Sequence, residues 1–473
     1  MAKSDRKMLG ITVLPEYFQV EGVTQVLDNC QDLAGANAIT TSPYVMRIAD
    51  QGEGQREPPI DAGAGDVRML ERPLWGKREL RVSTSPSFIP NRELYADTCY
   101  QPPVADEYTQ RDGSVIETAL AEMKSRGIRT FFQVQAAIPP GYRVQFSGLR
   151  SKDEPKLPWN KKVTNRVASN ASLASSDVLN YQIALITDLF QQYPDVEGIR
   201  IDWPEYPPYK LDSVFLDFNS QVARFCDNDE AFDELRGLVD KAYQWCHGQL
   251  NTNTVIQMTN VEGLKQELRR EGLLEGLQHW LQLKQDLVTN YICEIRKAMD
   301  SNGFREKLLV PHAFPPPFNK LSGINYSAIG AYSDHIPIKL YTMHWSMIAR
   351  FYLDQLATAN PLVEESTLVN AIFSLLKISD DIAPPRIIDV KYPGPDEPQL
   401  PTTETQKEKI SIAQQEAGDT PIAALVHGYG PVDEFARRFE TAYSSTQSFV
   451  WVNRYCYLGD EKLRVMGDLC NGK

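Results

Sequence analysis

Short apolar runs rich in β-branched residues recur along the chain, and most are followed by a segment with helical periodicity. Strands that are buried on both faces and alternate with helices are typical of parallel sheets. The pattern therefore predicts an α/β fold, specifically a (β/α)8 TIM barrel. The eight predicted strands are Leu9–Leu14, Ala36–Thr41, Arg129–Gln135, Gly198–Asp202, Lys307–His312, Pro337–Met343, Ile422–His427 and Ser448–Asn453.

Two features of the pattern leave alternatives open. An open, doubly wound sheet would show the same alternation, and Thr254–Asn260 (TVIQMTN) is a competing strand candidate.

Helical periodicity is clearest in Ser175–Gln192 and in Val432–Tyr443. Ser176 or Asp177 is the expected N-cap of the first of these helices.

We expect a single catalytic barrel over residues 1–473, interrupted by four insertions. Insertion 45–109, with a predicted hairpin in KRELRVSTSPSFIPNRELY, and insertion 136–176 follow the second and third strands. Loops at that end of a barrel build the substrate site, so both are predicted to be substrate-site loops. Insertion 211–302 is predicted to be helical, and the proline-rich segment 383–419 is predicted to be an exposed loop.

Composition narrows the class of protein. The 473 residues carry a formal net charge of −13 without a long basic cluster, which argues against nucleic acid as a partner. No window is apolar enough for a membrane helix, and the N-terminus lacks a secretory pattern. The seven cysteines include no CxxC pair. We therefore expect a reduced, soluble, cytoplasmic protein, and its apolar helices are compatible with a homo-oligomer.

Polar and aromatic residues follow the predicted strand ends, which converge on one mouth in a barrel. Sugars stack their apolar faces on aromatic rings and hydrogen-bond to carboxylates, amides and imidazoles, so the set suits a carbohydrate. Each residue also has an ordinary structural explanation, and the argument depends on their joint placement. The predicted substrate-binding residues are Glu16, Tyr17, Tyr44, Gln135, Trp203, Tyr206, His312, His344, Trp345, His427 and Tyr455.

The stretch EGIRIDWPEYPPY, at 197–209, contains the predicted catalytic residues. Cleavage of a glycosidic bond needs a carboxylic acid and a carboxylate. Asp202 ends the fourth strand, and Arg200 lies on the same strand face, where its charge would keep Asp202 ionised. Glu205 lies among aromatic and proline residues that favour a raised pKa and a general-acid role, with Glu16 in reserve. A structural Arg200–Asp202 pair with a solvated Glu205 is the alternative.

Several of these segments resemble known glycoside hydrolases. LAGANAITTSPYV and RGIRTFFQVQ resemble the second and third strands of α-amylase-type enzymes, and GIRID resembles their Gly-x-Arg-x-Asp fourth strand. The wider pattern resembles barrel hydrolases related to α-amylases and α-galactosidases. The resemblance implies that Asp202 is the nucleophile and Arg200 its partner. DWPEYP also resembles, with one inserted residue, the Asp-Trp-Glu-Tyr-Pro motif of family 18 chitinases, whereas PHAFPPPF and HGYG lack the expected α-amylase acids.

The sequence thus predicts an enzyme, a glycoside hydrolase that uses paired carboxylates on a small or imported glycoside, with a carbohydrate substrate and neither metal nor cofactor. One alternative is a sugar isomerase or epimerase with Mn²⁺ or Co²⁺. Its candidate ligands are Glu16, Asp202, Glu205, His312, His344 and His427, although none form a close HxH or HxxE pair. A sugar-binding barrel without catalysis is the other alternative.

Overall fold

The structure, a computed structural model, describes residues 7–60, 63–143 and 148–472. The strands are β1 (Met8–Thr12), β2 (Ala38–Thr41), β3 (Tyr44–Ile48), β4 (Gln55–Glu57), β5 (Leu80–Pro86), β6 (Arg129–Gln135), β7 (Gly198–Asp202), β8 (Leu308–Pro311), β9 (Ile336–Leu340), β10 (Ile422–His427) and β11 (Phe449–Asn453). Eight parallel strands form one sheet in the order β8-β7-β6-β2-β1-β11-β10-β9, and three strands form a small antiparallel sheet in the order β3-β5-β4.

The large sheet closes into a barrel just beyond the end of β8. Ala313 bridges Ile338 of β9 in parallel, its N–H donating to the Pro337 carbonyl and its own carbonyl accepting from the Lys339 N–H, each at 2.9 Å. The (β/α)8 prediction is confirmed, and each barrel strand lies within its predicted run or within one residue of it. The competing candidate Thr254–Asn260 is not a strand, because Thr252–Gln257 is helical.

Helices separate the strands and cover the outside of the barrel. The predicted helix begins at Ser176. Its N-cap is Ser175, whose hydroxyl accepts from the Val178 N–H at 3.3 Å, so the predicted cap at Ser176 or Asp177 is wrong. The helices are Pro15–Val20, Val23–Asp28, Glu107–Asp112, Ser114–Ser125, Ser176–Gln192, Leu211–Val214, Asp229–Cys246, Thr252–Gln257, Val261–Arg270, Leu274–Ser301, Phe318–Ser322, Tyr326–Gly330, Thr342–Ala359, Glu365–Leu376, Thr403–Ala417, Val432–Ser445 and Asp460–Cys470. None in the described ranges is both long and apolar enough to cross a membrane.

Side chains alternate between the two faces of each barrel strand, so the core has one part outside the barrel and one part inside it. Outward residues such as Ile199 and Ile201 pack against the helices, whereas inward residues fill the barrel. The lower interior is an apolar cluster of Met8, Ala38, Phe131, Val310, Ala423, Leu425 and Trp451. The inward positions nearer the C-terminal strand ends are polar, among them Gln133, Asp202 and Lys339. This layering places the polar side chains above the apolar cluster, which forms the floor of the barrel.

The packing of the apolar floor leads us to predict a large loss of stability from a substitution at Gly10. A Cβ at Gly10 would lie 2.2 Å from the Trp451 ring, which is fully buried. We expect Gly10→Ala to lower the free energy of unfolding by about 1–3 kcal/mol, because the ring has nowhere to move. Urea unfolding measures this. The control is Gly237→Ala, on an exposed helix face where the added Cβ would have no atom within 4 Å. It is expected to raise the free energy of unfolding by up to about 1 kcal/mol. Equal losses in both variants would contradict the prediction.

Two insertions differ from their predictions. In 45–109 the strand β5 pairs with β3 and β4, whereas the second arm of the predicted hairpin contains the 3-10 helix Arg92–Tyr95. The segment 383–419 is not an exposed loop throughout, because Thr403–Ala417 is a helix packed on the barrel. Its Lys409 is buried and donates to the Pro316 carbonyl at 2.7 Å. Insertion 211–302 is largely helical, as predicted.

Candidate functional site

A cavity of about 40 Å³ lies at the C-terminal ends of the barrel strands. Five predicted site residues line it: Gln135, Asp202, Trp203, His344 and His427. Other polar residues on its wall, none of which is among the predicted substrate-binding residues, include Arg68, Gln133, Tyr142, Arg143, Tyr209, Tyr341, Asn453 and Arg454. Asp202 is the only carboxylate on the part of this wall that the structure describes.

Asp202 ends β7 and is held by side chains from three neighbouring strand ends. Its Oδ1 lies 3.2 Å from Lys339 Nζ and 3.2 Å from His312 Nδ1, and its Oδ2 lies 3.5 Å from Gln133 Nε2. The Asp202 side chain keeps 18% of its surface exposed, whereas those of Lys339 and His312 are almost fully buried. The carboxylate therefore faces the cavity from a fixed support.

The surroundings of Asp202 favour its ionised form. Burial would raise its pKa, but the Lys339 charge and the His312 hydrogen bond outweigh burial and hold the pKa well below its usual value. Burial, with the Arg200 charge, lowers the pKa of His312 to about 4. His312 is thus neutral at pH 7, and its Nδ1–H donates to the carboxylate.

Glu205 lies behind Asp202 and is fully buried. Its Oε2 accepts from the Phe314 N–H at 3.1 Å and from the Ser322 hydroxyl at 3.0 Å, and its Oε1 lies 3.0 Å from Lys339 Nζ. Burial raises the pKa of Glu205, as expected from the sequence. The alternative of a solvated Glu205 is wrong, but the carboxyl group also has both oxygens occupied and does not line the cavity.

Arg200 does not form the expected ion pair with Asp202. Its guanidinium donates to the Thr12 hydroxyl at 3.2 Å and lies 3.9 Å from the Trp451 ring centre, one layer deeper in the barrel. Burial lowers the pKa of Arg200 to about 9, so it remains charged at neutral pH. The side-chain alternation along a strand correctly predicted that Arg200 and Asp202 both point into the barrel. However, residues two positions apart on a tilted strand lie in different layers of the barrel interior. Lys339 supplies the direct positive charge instead.

Glu16 and Tyr44 lie behind the cavity wall. The Tyr44 hydroxyl donates to Glu16 Oε2 at 3.0 Å, and Arg143 Nη1 donates to Glu16 Oε1 at 3.2 Å. Arg143 also pairs with Glu57, and the two glutamates and Arg143 are almost completely buried. Arg143 itself lines the cavity, so Glu16 and Tyr44 support the wall from behind.

Trp203, His344, His427 and Tyr341 form part of the wall around Asp202. Trp203 has a left-handed backbone (φ 56°), which is uncommon outside glycine and marks the point where the chain leaves β7. His344 Nδ1 lies 2.8 Å from the Tyr209 hydroxyl. Burial lowers the pKa of His427 well below its usual value, and its Nδ1 accepts from the Tyr429 N–H at 3.1 Å.

Besides Glu16, Tyr44 and His312, four further predicted substrate-binding residues do not line the cavity: Tyr17, Tyr206, Trp345 and Tyr455. Tyr17 and Tyr455 contact each other edge to face and donate to the Arg72 carbonyl and to Glu21, respectively. Tyr206 donates to Asp217 at 3.0 Å, and Trp345 is a buried ring near Lys409. Strand-end position alone did not distinguish these core residues from wall residues.

Lys339 is the main contact of Asp202 that was not predicted from the sequence. It lies in the middle of the apolar strand IPIKL and points inward, two residues before Tyr341. A lysine is rarely buried without an ionic partner, so its presence inside an apolar run was a usable signal. Arg143 gave no such signal because it lies in a loop.

The described part of the wall contains no cluster of the kind that the isomerase alternative requires. Within residues 7–60, 63–143 and 148–472, no group of three His, Cys, Asp or Glu side chains is placed to hold a metal ion. Asp202 and His312 do meet, but Lys339 occupies the third side of the carboxylate.

No protein-family model matches the sequence, and neither does any curated protein. Among solved structures, the chain resembles a β-galactosidase from the psychrophilic Marinomonas ef1, with 8% identity, a TM-score of 0.47, and 98% of this chain and 58% of that chain covered. It also resembles the catalytic domain of a β-amylase from Paenibacillus polymyxa, with 11% identity, a TM-score of 0.48, and 98% of this chain and 95% of that chain covered. A class V chitinase from Pseudomonas fluorescens Pf-5 has 9% identity and a TM-score of 0.40, with 98% of each chain covered.

These structural neighbours are glycoside hydrolases with TIM-barrel-like folds. The chain spans little more than half the length of the β-galactosidase. One barrel architecture carries many unrelated reactions, so the function has to follow from the geometry around Asp202.

Proposed function

We propose that this chain is a glycoside hydrolase that cleaves a small glycoside, with Asp202 as the carboxylate at the reacting carbon. The observation that carries the proposal is the Asp202 carboxylate on the cavity wall, fixed by contacts with Lys339 and His312. The transition state of glycosidic cleavage resembles an oxocarbenium ion, whose positive charge a fixed carboxylate stabilises.

The remaining wall supplies what a sugar ring needs. Trp203 offers an aromatic face beside Asp202, and Gln135, His344 and His427 offer polar groups for hydroxyls. Gln135 Oε1 has no hydrogen-bond partner within the described chain, so it is available to accept from a hydroxyl.

Tyr341 is the proposed donor to the leaving oxygen. Its hydroxyl oxygen accepts a hydrogen bond from Asn453 Nδ2 at 2.9 Å, which leaves its own proton for another acceptor. Burial raises the pKa of Tyr341 and the nearby Asp202 charge adds to this, so the phenol is protonated at neutral pH. Glu205 has no oxygen facing the cavity and is not assigned this role.

Tyr341→Phe is expected to affect substrates according to their leaving group. For an alkyl glycoside, loss of the donor is expected to lower kcat/KM at least about a hundredfold, whereas a dinitrophenyl glycoside of the same sugar needs little protonation and is expected to lose much less. Steady-state kinetics on the two substrates measure the difference. Tyr142→Phe, which removes another cavity phenol, is the control; equal losses on both substrates would contradict the role of Tyr341.

The hydrolase proposal is tested with dinitrophenyl glycosides of the common pyranoses and furanoses. Release of the phenol is followed by absorbance for the wild type and for Asp202→Asn. A glycoside that the wild type hydrolyses and Asp202→Asn does not would support the proposal. If no glycoside is hydrolysed while free sugars raise the melting temperature, the chain binds sugars without cleaving them. Unchanged turnover in the variant would remove Asp202 from the mechanism.

A further inference from the structure

We propose that Lys339 is a positioning residue that fixes the Asp202 carboxylate at the cavity, and that Glu205 anchors the Lys339 ammonium from behind. This inference rests on the proposed function only for its effect on the rate. It assigns the two carboxylates of the DWPEY segment to different tasks, with Asp202 at the substrate and Glu205 in the support.

The geometry around the ammonium supports this assignment. Lys339 Nζ lies 3.2 Å from Asp202 Oδ1 and 3.0 Å from Glu205 Oε1, so one ammonium bridges both carboxylates. The ring centres of Phe314 and Trp203 lie 4.7 and 5.3 Å from the same nitrogen. A cation enclosed by two anions and two aromatic faces has little freedom to move.

Glu205 is itself fixed from the opposite side. The Phe314 N–H and the Ser322 hydroxyl occupy Oε2, leaving Oε1 for Lys339. The Phe314 carbonyl accepts from the Tyr326 hydroxyl at 2.5 Å, which restrains the residue whose N–H holds Glu205. The chain of contacts therefore runs from the β8–β9 connection through Glu205 and Lys339 to Asp202.

Charged and titratable groups face Asp202 from several elements. Lys339 lies on β9 and Tyr341 directly after it, and His312 follows β8. Arg200 lies deeper on β7, and Glu205 lies on the loop after β7. The neutral Gln133 faces it from β6. Lys339 is the only cation within 4 Å of the Asp202 carboxylate in the described chain, apart from the largely neutral His312. Removal of the lysine leaves the Asp202 charge without its nearest counter-ion.

The expected sign follows from the direction of the Asp202 shift. Lys339 lowers the pKa of Asp202 against the effect of burial, so its loss raises that pKa. Asp202 then becomes protonated at a pH where the wild type is still ionised. The acidic limb of kcat/KM, which reports the free enzyme, moves to higher pH.

The experiment compares the wild type with Lys339→Met, Lys339→Arg and the double variant Lys339→Met/Glu205→Gln. Carboxyl-carbon NMR on aspartate-labelled protein follows Asp202, whose resonance is assigned by its absence in Asp202→Asn. We expect the pKa of Asp202 to rise by at least about one unit in Lys339→Met and to stay close to the wild-type value in Lys339→Arg.

The double variant keeps the test decisive if Lys339→Met does not fold, because it removes both members of the buried Lys339–Glu205 pair. The same rise in the pKa of Asp202 is expected there. An Asp202 that stays ionised as in the wild type, in either methionine variant, overturns the positioning role. The NMR result does not depend on turnover: a raised pKa without any hydrolysis by the wild type would keep the positioning role and reject the hydrolase.

Discussion

Asp202→Asn is expected to lower kcat/KM for the best glycoside on the order of 10²–10³-fold, the largest effect on activity in this chain. The amide keeps the shape of the side chain but removes the negative charge that Lys339 and His312 hold at the cavity. Without that charge, the oxocarbenium-like transition state loses its fixed counter-ion. Initial rates with the wild type and the variant measure the loss.

A chemical rescue separates catalysis from folding in this experiment. Asp202→Ala leaves a space beside Lys339 that a small anion such as azide or formate can enter. Added azide is expected to restore part of the turnover of Asp202→Ala and to leave the wild type unchanged, which a misfolded protein would not show. If Asp202→Asn hydrolysed the glycoside as fast as the wild type, another group would have to carry the negative charge.

Arg143→Met is expected to cause the largest loss of stability, about 3–5 kcal/mol at neutral pH. Arg143 contacts both Glu16 and Glu57, and all three side chains are at most 4% exposed. The methionine has a similar length but leaves two buried carboxylates without their shared cation. Urea unfolding at constant pH measures the change in the free energy of unfolding.

The pH dependence of this loss has a definite sign. Burial raises the pKa of Glu16 in the folded protein, and the Arg143 charge opposes that rise. Without Arg143 the folded-state pKa rises further, so the folded state binds a proton more tightly than the unfolded state does. The variant is then least stable above that pKa and recovers as the pH falls. We expect a smaller loss near pH 5 than near pH 8.

The matched control is Arg111→Met, which removes an exposed arginine paired with Asp112 at 2.7 Å. Surface pairs contribute at most about 1 kcal/mol, so little change is expected. Adding Glu16→Gln and Glu57→Gln to Arg143→Met is expected to recover part of its stability, since no buried charge remains. A loss that is independent of pH, or no larger than in the control, would contradict the prediction.

The fold could be predicted because its signal is local. The barrel strands are buried on both faces, so most of their residues are apolar, as in Ile422–His427. The position of Asp202 followed from the same pattern, since it ends such a run. The segment 383–419 was mistaken because the prolines of its first half concealed the helix Thr403–Ala417 in its second half.

The site was harder to predict because it depends on long-range packing. Trp203 adopts a left-handed backbone directly after Asp202, and the loop then buries Glu205 under Ser322 and Phe314. Neither contact has a local sequence signal. The partner of Asp202 was predicted from the nearest cation in sequence, Arg200, whereas closure of the barrel brings a different cation from another strand into contact.

The apolar floor of the barrel has a consequence for traffic through the site. Trp451 and the Arg200 guanidinium above it fill the barrel axis below Asp202. Any molecule that reaches the carboxylate therefore has to enter and leave through the same C-terminal opening of the barrel. If hydrolysis proceeds as proposed, the released product and the next substrate share that opening, so accumulated product is expected to compete with substrate.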